Sequence, residues 1–342
     1  LHGGVTTVFY SVAFNDSRPI AEQLEKIVAK DKEQAQIDFG YHYFVNDWSD
    51  ARKKHLKTAQ MAGIPSVWIA RNAPTSRAAG AALAYAVLRD LPENAVAFTS
   101  PNCPLFDSFL RNDLRASGTV SPSNHSLLFP SWLEANAVGT LGALAAQSRA
   151  QLVVVGVSAA ESIRKIADLR SQGVDILAAA KIPHLVLTQD NQEENGGENG
   201  CQALAWPPIR QRTDQQALWT AVDDGLINLV TSGHHPVTEN ENTASQRDIT
   251  MASVGTAGIR HLLHLLHSEG VAKWRLAAES LSLAACADPA KLAGIYPRKG
   301  TLRIGADADV VILDPNTTHE AEGTDGGAGH HDPYAGINIM GE

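Results

Sequence analysis

The residues of this chain best equipped for chemistry are histidines, and they cluster in a few places. His234 and His235 directly follow the apolar run Leu226–Thr231, at the end of a strand. Two adjacent imidazoles there have the donors to bind a metal ion or to act as acid and base. In IRHLLHLLHSEG, His261, His264 and His267 recur at i, i+3 and i+6, so on a helix they share roughly one face. A surface metal site is conceivable there, but an amphipathic helix with partly buried rings is the simpler expectation. His184, after Pro183, is expected to be structural. In Asn15-Asp16-Ser17-Arg18-Pro19, Arg18 could meet a substrate carboxylate or carbonyl, while Asp16-Ser17 suit a cap and turn. Cys103, Cys201 and Cys286 are odd in number and lack CxxC spacing, which predicts three reduced, unrelated thiols. Neither a GxxxxGK[ST] phosphate loop nor a GxSxG nucleophile elbow occurs.

Apolar strand-like runs alternate with helical segments along the 342 residues. Val5–Ala13, Ile37–Val45, Ser66–Ala70, Ala95–Thr99, Gln151–Val157, Asp175–Ala179 and Leu226–Thr231 read as strands, with Asp175–Ala179 running on irregularly towards Leu187. Helices are expected over Ile20–Lys32, Asp50–Ala62, Thr75–Arg89, Trp132–Gln147 and Ser162–Gln172. Repeated β-α order with buried apolar strands implies a parallel sheet covered by helices and closed into a barrel, an α/β fold of the (β/α)8 TIM-like type. Ser117–Ser131 and Gln189–Gly200 are polar enough to be surface loops, and Glu320–His331 is a Gly/His-rich tail expected to be solvated.

Hydrophobic content of 44% suffices for a large core, and 19% charged residues argues against disorder. A net charge of −9 and an isoelectric point near 5.8 argue against a nucleic acid or an anionic membrane as partner. No apolar run is long enough to span a membrane, and the composition suits a cytoplasmic protein.

Gly300–Pro315, GTLRIGADADVVILDP, adds a short strand at Thr301–Ile304, a turn, and an apolar β-run at Val310–Leu313. Preceded by Tyr296-Pro297-Arg298-Lys299, it resembles the point where hydantoinases, dihydropyrimidinases and allantoinases leave their barrel for a small β-sandwich. Gly3-Gly4-Val5-Thr6-Thr7-Val8 resembles that family's second barrel strand. Trp206-Pro207-Pro208-Ile209-Arg210 with Gln216-Ala217-Leu218-Trp219 resembles the stretch before its last strand, and Asp288-Pro289-Ala290-Lys291 its exit. The resemblance implies a barrel over residues 1–298, its first strand preceding Leu1, and the start of a β-sandwich with a tail over 299–342.

It also implies a cyclic amidohydrolase, which needs hydroxide at neutral pH and a Lewis acid on the carbonyl oxygen, both supplied by a bridged metal pair, usually zinc. The family's ligands are a His-x-His, a carboxylated Lys, two further His and an Asp that doubles as proton shuttle. The His-x-His position would precede Leu1. At the Lys position stands Trp68, at the two His positions Thr99 and Gly156, and at the Asp position Gly233. An indole offers no lone pair to a cation and cannot be carboxylated. Losing the aspartate also removes the general base. His234 and His235 are the residues left near these positions.

The expectation is therefore a metal-less pseudo-amidohydrolase that binds no zinc, with Trp68 packed into the vacated space. It would work as an assembly or regulatory protein, as a homo-oligomer or joined to an active homologue, with Ile259, Leu262, Leu263 and Leu266 as a candidate contact stripe. The alternative is a cyclic-amide hydrolase with a rearranged or mononuclear site.

Overall fold

The computed structural model describes residues 2–15, 17–70, 80–193, 200–238, 241, 245, 247–321 and 332–341. Its centre is a seven-stranded, all-parallel sheet. The strands are β1 (Thr7–Val12), β2 (Asp38–Val45), β3 (Ser66–Ile69), β4 (Val96–Thr99), β5 (Gln151–Val155), β6 (Ile176–Lys181) and β7 (Leu229–Thr231). They pair strictly in chain order, β1 through β7. Between them lie α1 (Ile20–Gln34), α2 (Asp50–Met61), α3 (Ala81–Arg89), α4 (Pro104–Ser117), α5 (Ser131–Ser148), α6 (Ala160–Ser171), the short α7 (Ile182–Val186) and α8 (Asp190–Glu193), and α9 (Arg212–Asp223). This is the curled sheet of a TIM-like barrel.

The strands are apolar on both faces because both are covered. Val45, Val67, Ala97, Val154, Ala178 and Val230 pack under the helices against residues such as Leu83, Val138 and Ile166. The alternate residues Val96, Phe98, Val153, Val155, Ala179 and Leu229 form a second cluster inside the curl, with Trp68 and Leu177 against it. Side chains alternate along a strand, so each position's parity decides whether it serves the core or the interior.

Several expectations are corrected. The run from Asp175 towards Leu187 is two elements: Pro183 removes a ladder donor, and the chain turns into α7 directly after Lys181. Ser117–Ser131 is not merely a polar loop. Pro122–Leu128 is a 3-10 turn that buries His125, Leu128 and the following Phe129. The helix expected from Thr75 starts at Ala81, and residues 71–79 lie outside the described residues, as do 194–199 of the acidic insert and 322–331 of the tail.

No strand forms within Thr301–Ile304 or Val310–Leu313. Leu302, Ile304 and Ile312 are 76%, 102% and 89% exposed, for a strand needs a hydrogen-bonded neighbour and neither run has one among the described residues. The small antiparallel sheet beyond the barrel is instead β8 (Thr318–Glu320) with β9 (Asn338–Met340).

Ile259–Val271 is an irregular 3-10, α and π sequence rather than one regular helix. Its imidazoles fasten the C-terminal segment: His261 Nε2 lies 2.7 Å from Asp332, His264 stacks edge-on to His319, and His267 meets the Met340 carbonyl. Leu263 packs over Gly4, and Leu266 joins the main core. The stripe expected at an interface is thus largely taken up within the chain.

Candidate functional site

Barrel chemistry belongs at the C-terminal ends of the strands, and the interior residues of β3 and β4 leading there are aromatic. Trp68 on β3 lies parallel to Phe98 on β4, ring centroids 6.1 Å apart at 6°. His42 on β2 tilts against both, at 5.8 Å and 4.8 Å. Its Nδ1 is 2.6 Å from the Ser66 hydroxyl, and burial pushes its pKa down to about 4, so the ring is neutral at pH 7. Trp68 is half-buried against the interior cluster.

Lys181, the last residue of β6, has the parity of the interior residues Leu177 and Ala179. Its Nζ donates to the Trp206 carbonyl at 2.7 Å. On one flank is Gly156, past the end of β5, where the amides of Gly156 and Val157 both bond the Ala179 carbonyl and shift the alternation. On the other is Gly233, two residues beyond β7. Gly156 and Gly233 thus flank the same lysine, while Trp68 packs against the interior cluster that holds Val155 and Ala179. Thr99 pairs with Val154 of the helix-facing layer, and its hydroxyl donates to the Ile69 carbonyl at 3.2 Å. The interior side of β4 is held by Phe98.

Beneath the mouth lies a buried ionic network. Glu134 of α5 accepts from the Ser158 and Ala159 amides at 2.9 and 3.1 Å, and from the Ser158 hydroxyl. Arg210 donates to Glu134 at 2.9 Å and to Ser158 Oγ at 3.0 Å. Burial would raise the Glu134 carboxyl, but Arg210 and the Ser158 donors outweigh it and hold the pKa below the usual carboxylate range. His184 packs beside this network, Nε2 at 2.7 Å from the Pro207 carbonyl, its pKa pushed down to about 4 by burial. The structural role expected of it stands.

The other candidates do not assemble. His234 and His235 are exposed; His234 Nδ1 accepts from the Gly258 amide at 3.3 Å, and His235 engages the Thr256 carbonyl through its backbone. Arg18 is exposed on a turn organised by Asn15, whose side chain accepts from the Ser17 amide and hydroxyl. Asp16 lies outside the described residues. The three cysteines are free thiols. Among the described residues no three His, Cys, Asp or Glu side chains are grouped to hold a metal ion.

An indole, a threonine turned outward and two glycines do not fit a metal pair, so the four positions supply no donor set for one. Sequence reasoning missed His42 and Lys181. For His42 the signal was parity: in DFGYHYFV, Tyr41, Tyr43 and Val45 are buried on one face, leaving His42 on the other. A cavity of about 590 Å³ lies at the opposite end of the strands, bordered by Thr7, Asp38, Gly63, Ile295 and Lys299.

Comparison with known proteins agrees with this architecture. The amidohydrolase family model matches residues 173–335. The D-hydantoinase of Geobacillus stearothermophilus is 29% identical over 346 residues, covering 99% of this chain and 73% of that protein. The L-hydantoinase of Paenarthrobacter aurescens is 30% identical over 235 residues, 68% of this chain and 50% of that protein. The crystal structure of dihydropyrimidinase from Brevibacillus agri NCHU1002 superimposes with a TM-score of 0.91 at 26% identity, over all of this chain and 75% of that one. The chain belongs to the amidohydrolase superfamily, alongside the hydantoinases and dihydropyrimidinases.

Proposed function

We propose that this chain keeps the cyclic-amidohydrolase barrel but not its metal-dependent chemistry, and acts as a non-catalytic assembly or regulatory protein. The observation that supports the reading is the Trp68–Phe98 stack with the neutral His42 against it, Trp68 being the residue that the resemblance sets at the carboxylated-lysine position. Aromatic packing there supplies no Lewis acid to activate water. With hydrolysis gone, the outer surface is what remains to be used, as a homo-oligomer or with an active homologue.

A second reading is supported by the relatives themselves, which are hydantoinases and a dihydropyrimidinase. It is a cyclic-amide hydrolase with a rearranged or mononuclear site that recruits His234 or His235. One preparation tests both: elemental analysis of protein purified without chelator, and hydrolysis assays on dihydrouracil and hydantoin. The first reading expects well under one metal per chain and no turnover. A reproducible metal per chain with measurable hydrolysis establishes the second. Light scattering at micromolar concentration, alone and with a hydantoinase homologue from the same cell, tests the association; a strict monomer in both cases counts against it.

A further inference from the structure

Lys181 reaches two strand ends at once, those of β5 and β7. It shares the interior parity of Leu177 and Ala179 and pairs across the ladder with Thr231. A Cβ built on Gly156 would lie 3.0 Å from both Lys181 Cε and Pro207 Cδ, and 3.4 Å from Lys181 Nζ. A Cβ on Gly233 would lie 3.0, 3.1 and 3.2 Å from Lys181 Cδ, Cβ and Cγ. Both distances are tighter than carbon atoms normally approach, before any further side-chain atom is added.

We infer that Lys181 is the positioning residue of the rebuilt mouth. Its side chain fills the volume that side chains at 156 and 233 would need, so the two glycines and the lysine form one coupled unit. An imidazole at 156 or a carboxylate at 233 is incompatible with the lysine as placed. The ammonium, anchored on the Trp206 carbonyl, also fixes a positive charge beside Gly156, and like charge in a low-dielectric interior opposes a divalent ion. This inference extends the proposed function but is tested separately from it.

The test is a pair of double-mutant cycles on the full chain: Gly156→Ala and Gly233→Ala, each in wild-type and Lys181→Ala backgrounds, followed by thermal unfolding. Both glycines have positive φ, 87° and 60°, so alanine brings backbone strain in either background. That shared cost cancels in the cycle and leaves the contact with Lys181. The expected result is a loss of melting temperature smaller by about 2–4 °C when Lys181 is absent. The larger coupling is expected at Gly233, which meets three side-chain atoms of Lys181. Additive losses in both cycles would overturn the inference.

If Lys181→Ala does not fold, reductive methylation of the wild-type protein read by mass spectrometry decides. Lys181 should label at least tenfold more slowly than the exposed Lys57, and equal rates would refute its placement. Zinc found in the wild-type chain would sink the functional reading, whereas the cycles and the labelling bear only on Lys181.

Discussion

The two ends of the barrel each hold a lysine in the structure, and they hold it by different physics. At the C-terminal mouth, half-buried Lys181 meets a backbone carbonyl between two glycines. At the N-terminal end, Lys299 is only 6% exposed, but three carboxylates, Asp38, Asp307 and Asp309, surround its ammonium. Burial alone would lower the Lys299 pKa; the carboxylates, Asp309 foremost, override it and hold the ammonium well above the ordinary lysine range. The Lys299 cluster ties the segment leaving the barrel to the start of β2 and shares its acidic side with water, since the Asp38 side chain is 63% exposed. The charges beneath the mouth are satisfied by protein alone, with the Glu134 and Arg210 side chains 0% and 5% exposed. The mouth is a packed, internally compensated region, while the base is a clamp whose carboxylates face water.

If that contrast is right, the largest loss comes from the buried pair. Glu134→Ala leaves Arg210 uncompensated and should lower unfolding free energy by about 3–5 kcal/mol in urea titration. A loss no greater than that of a surface ion pair would erase the distinction between the two ends.

Trp68→Ala comes next, at about 3 kcal/mol, because it opens a space against Phe98 and His42. An unchanged melting temperature would mean that the indole is not filling the interior.

Acid sensitivity should follow. His42 and His184 have folded-state pKa values near 4, below the roughly 6.5 of an unfolded histidine. Between those values the unfolded chain binds protons that the native chain refuses, so the neutral buried rings contribute fully above pH 6.5 and lose their contribution as pH falls. His42→Phe should flatten the melting-temperature profile between pH 7 and 5, removing about 2 kcal/mol of acid dependence. An unaltered slope would show that His42 is solvated.

The smallest effect is expected at the base. Lys299→Met should cost about 1–2 kcal/mol and narrow further at high salt, because its partners face water. A salt-independent loss as large as that of Glu134→Ala would make the clamp as dry as the mouth.

Much of the barrel was legible because parallel strands covered on both faces need long apolar runs, as in QLVVV of β5 and ILAAA of β6, with amphipathic segments between them. The absence of ligand chemistry at Trp68, Gly156 and Gly233 was equally legible, since an indole or a glycine offers a metal no side-chain donor whatever surrounds it. Thr99 was placed correctly on its strand but on the wrong face, because one residue of register reverses every side chain. Thr301–Leu313 carried a strand's pattern and formed no strand, because alternation supplies the face while the ladder supplies the bonds. Composition and residue order by themselves determined the α/β class, the succession of elements and the chemical poverty of the inherited ligand positions. Only the tertiary structure decided what replaced them. His42 meets Trp68 and Phe98, and Lys181 lies between Gly156 and Gly233, because the curl of the sheet and the local shift at Gly156 bring residues of neighbouring strands together, a relation that no spacing along the chain encodes.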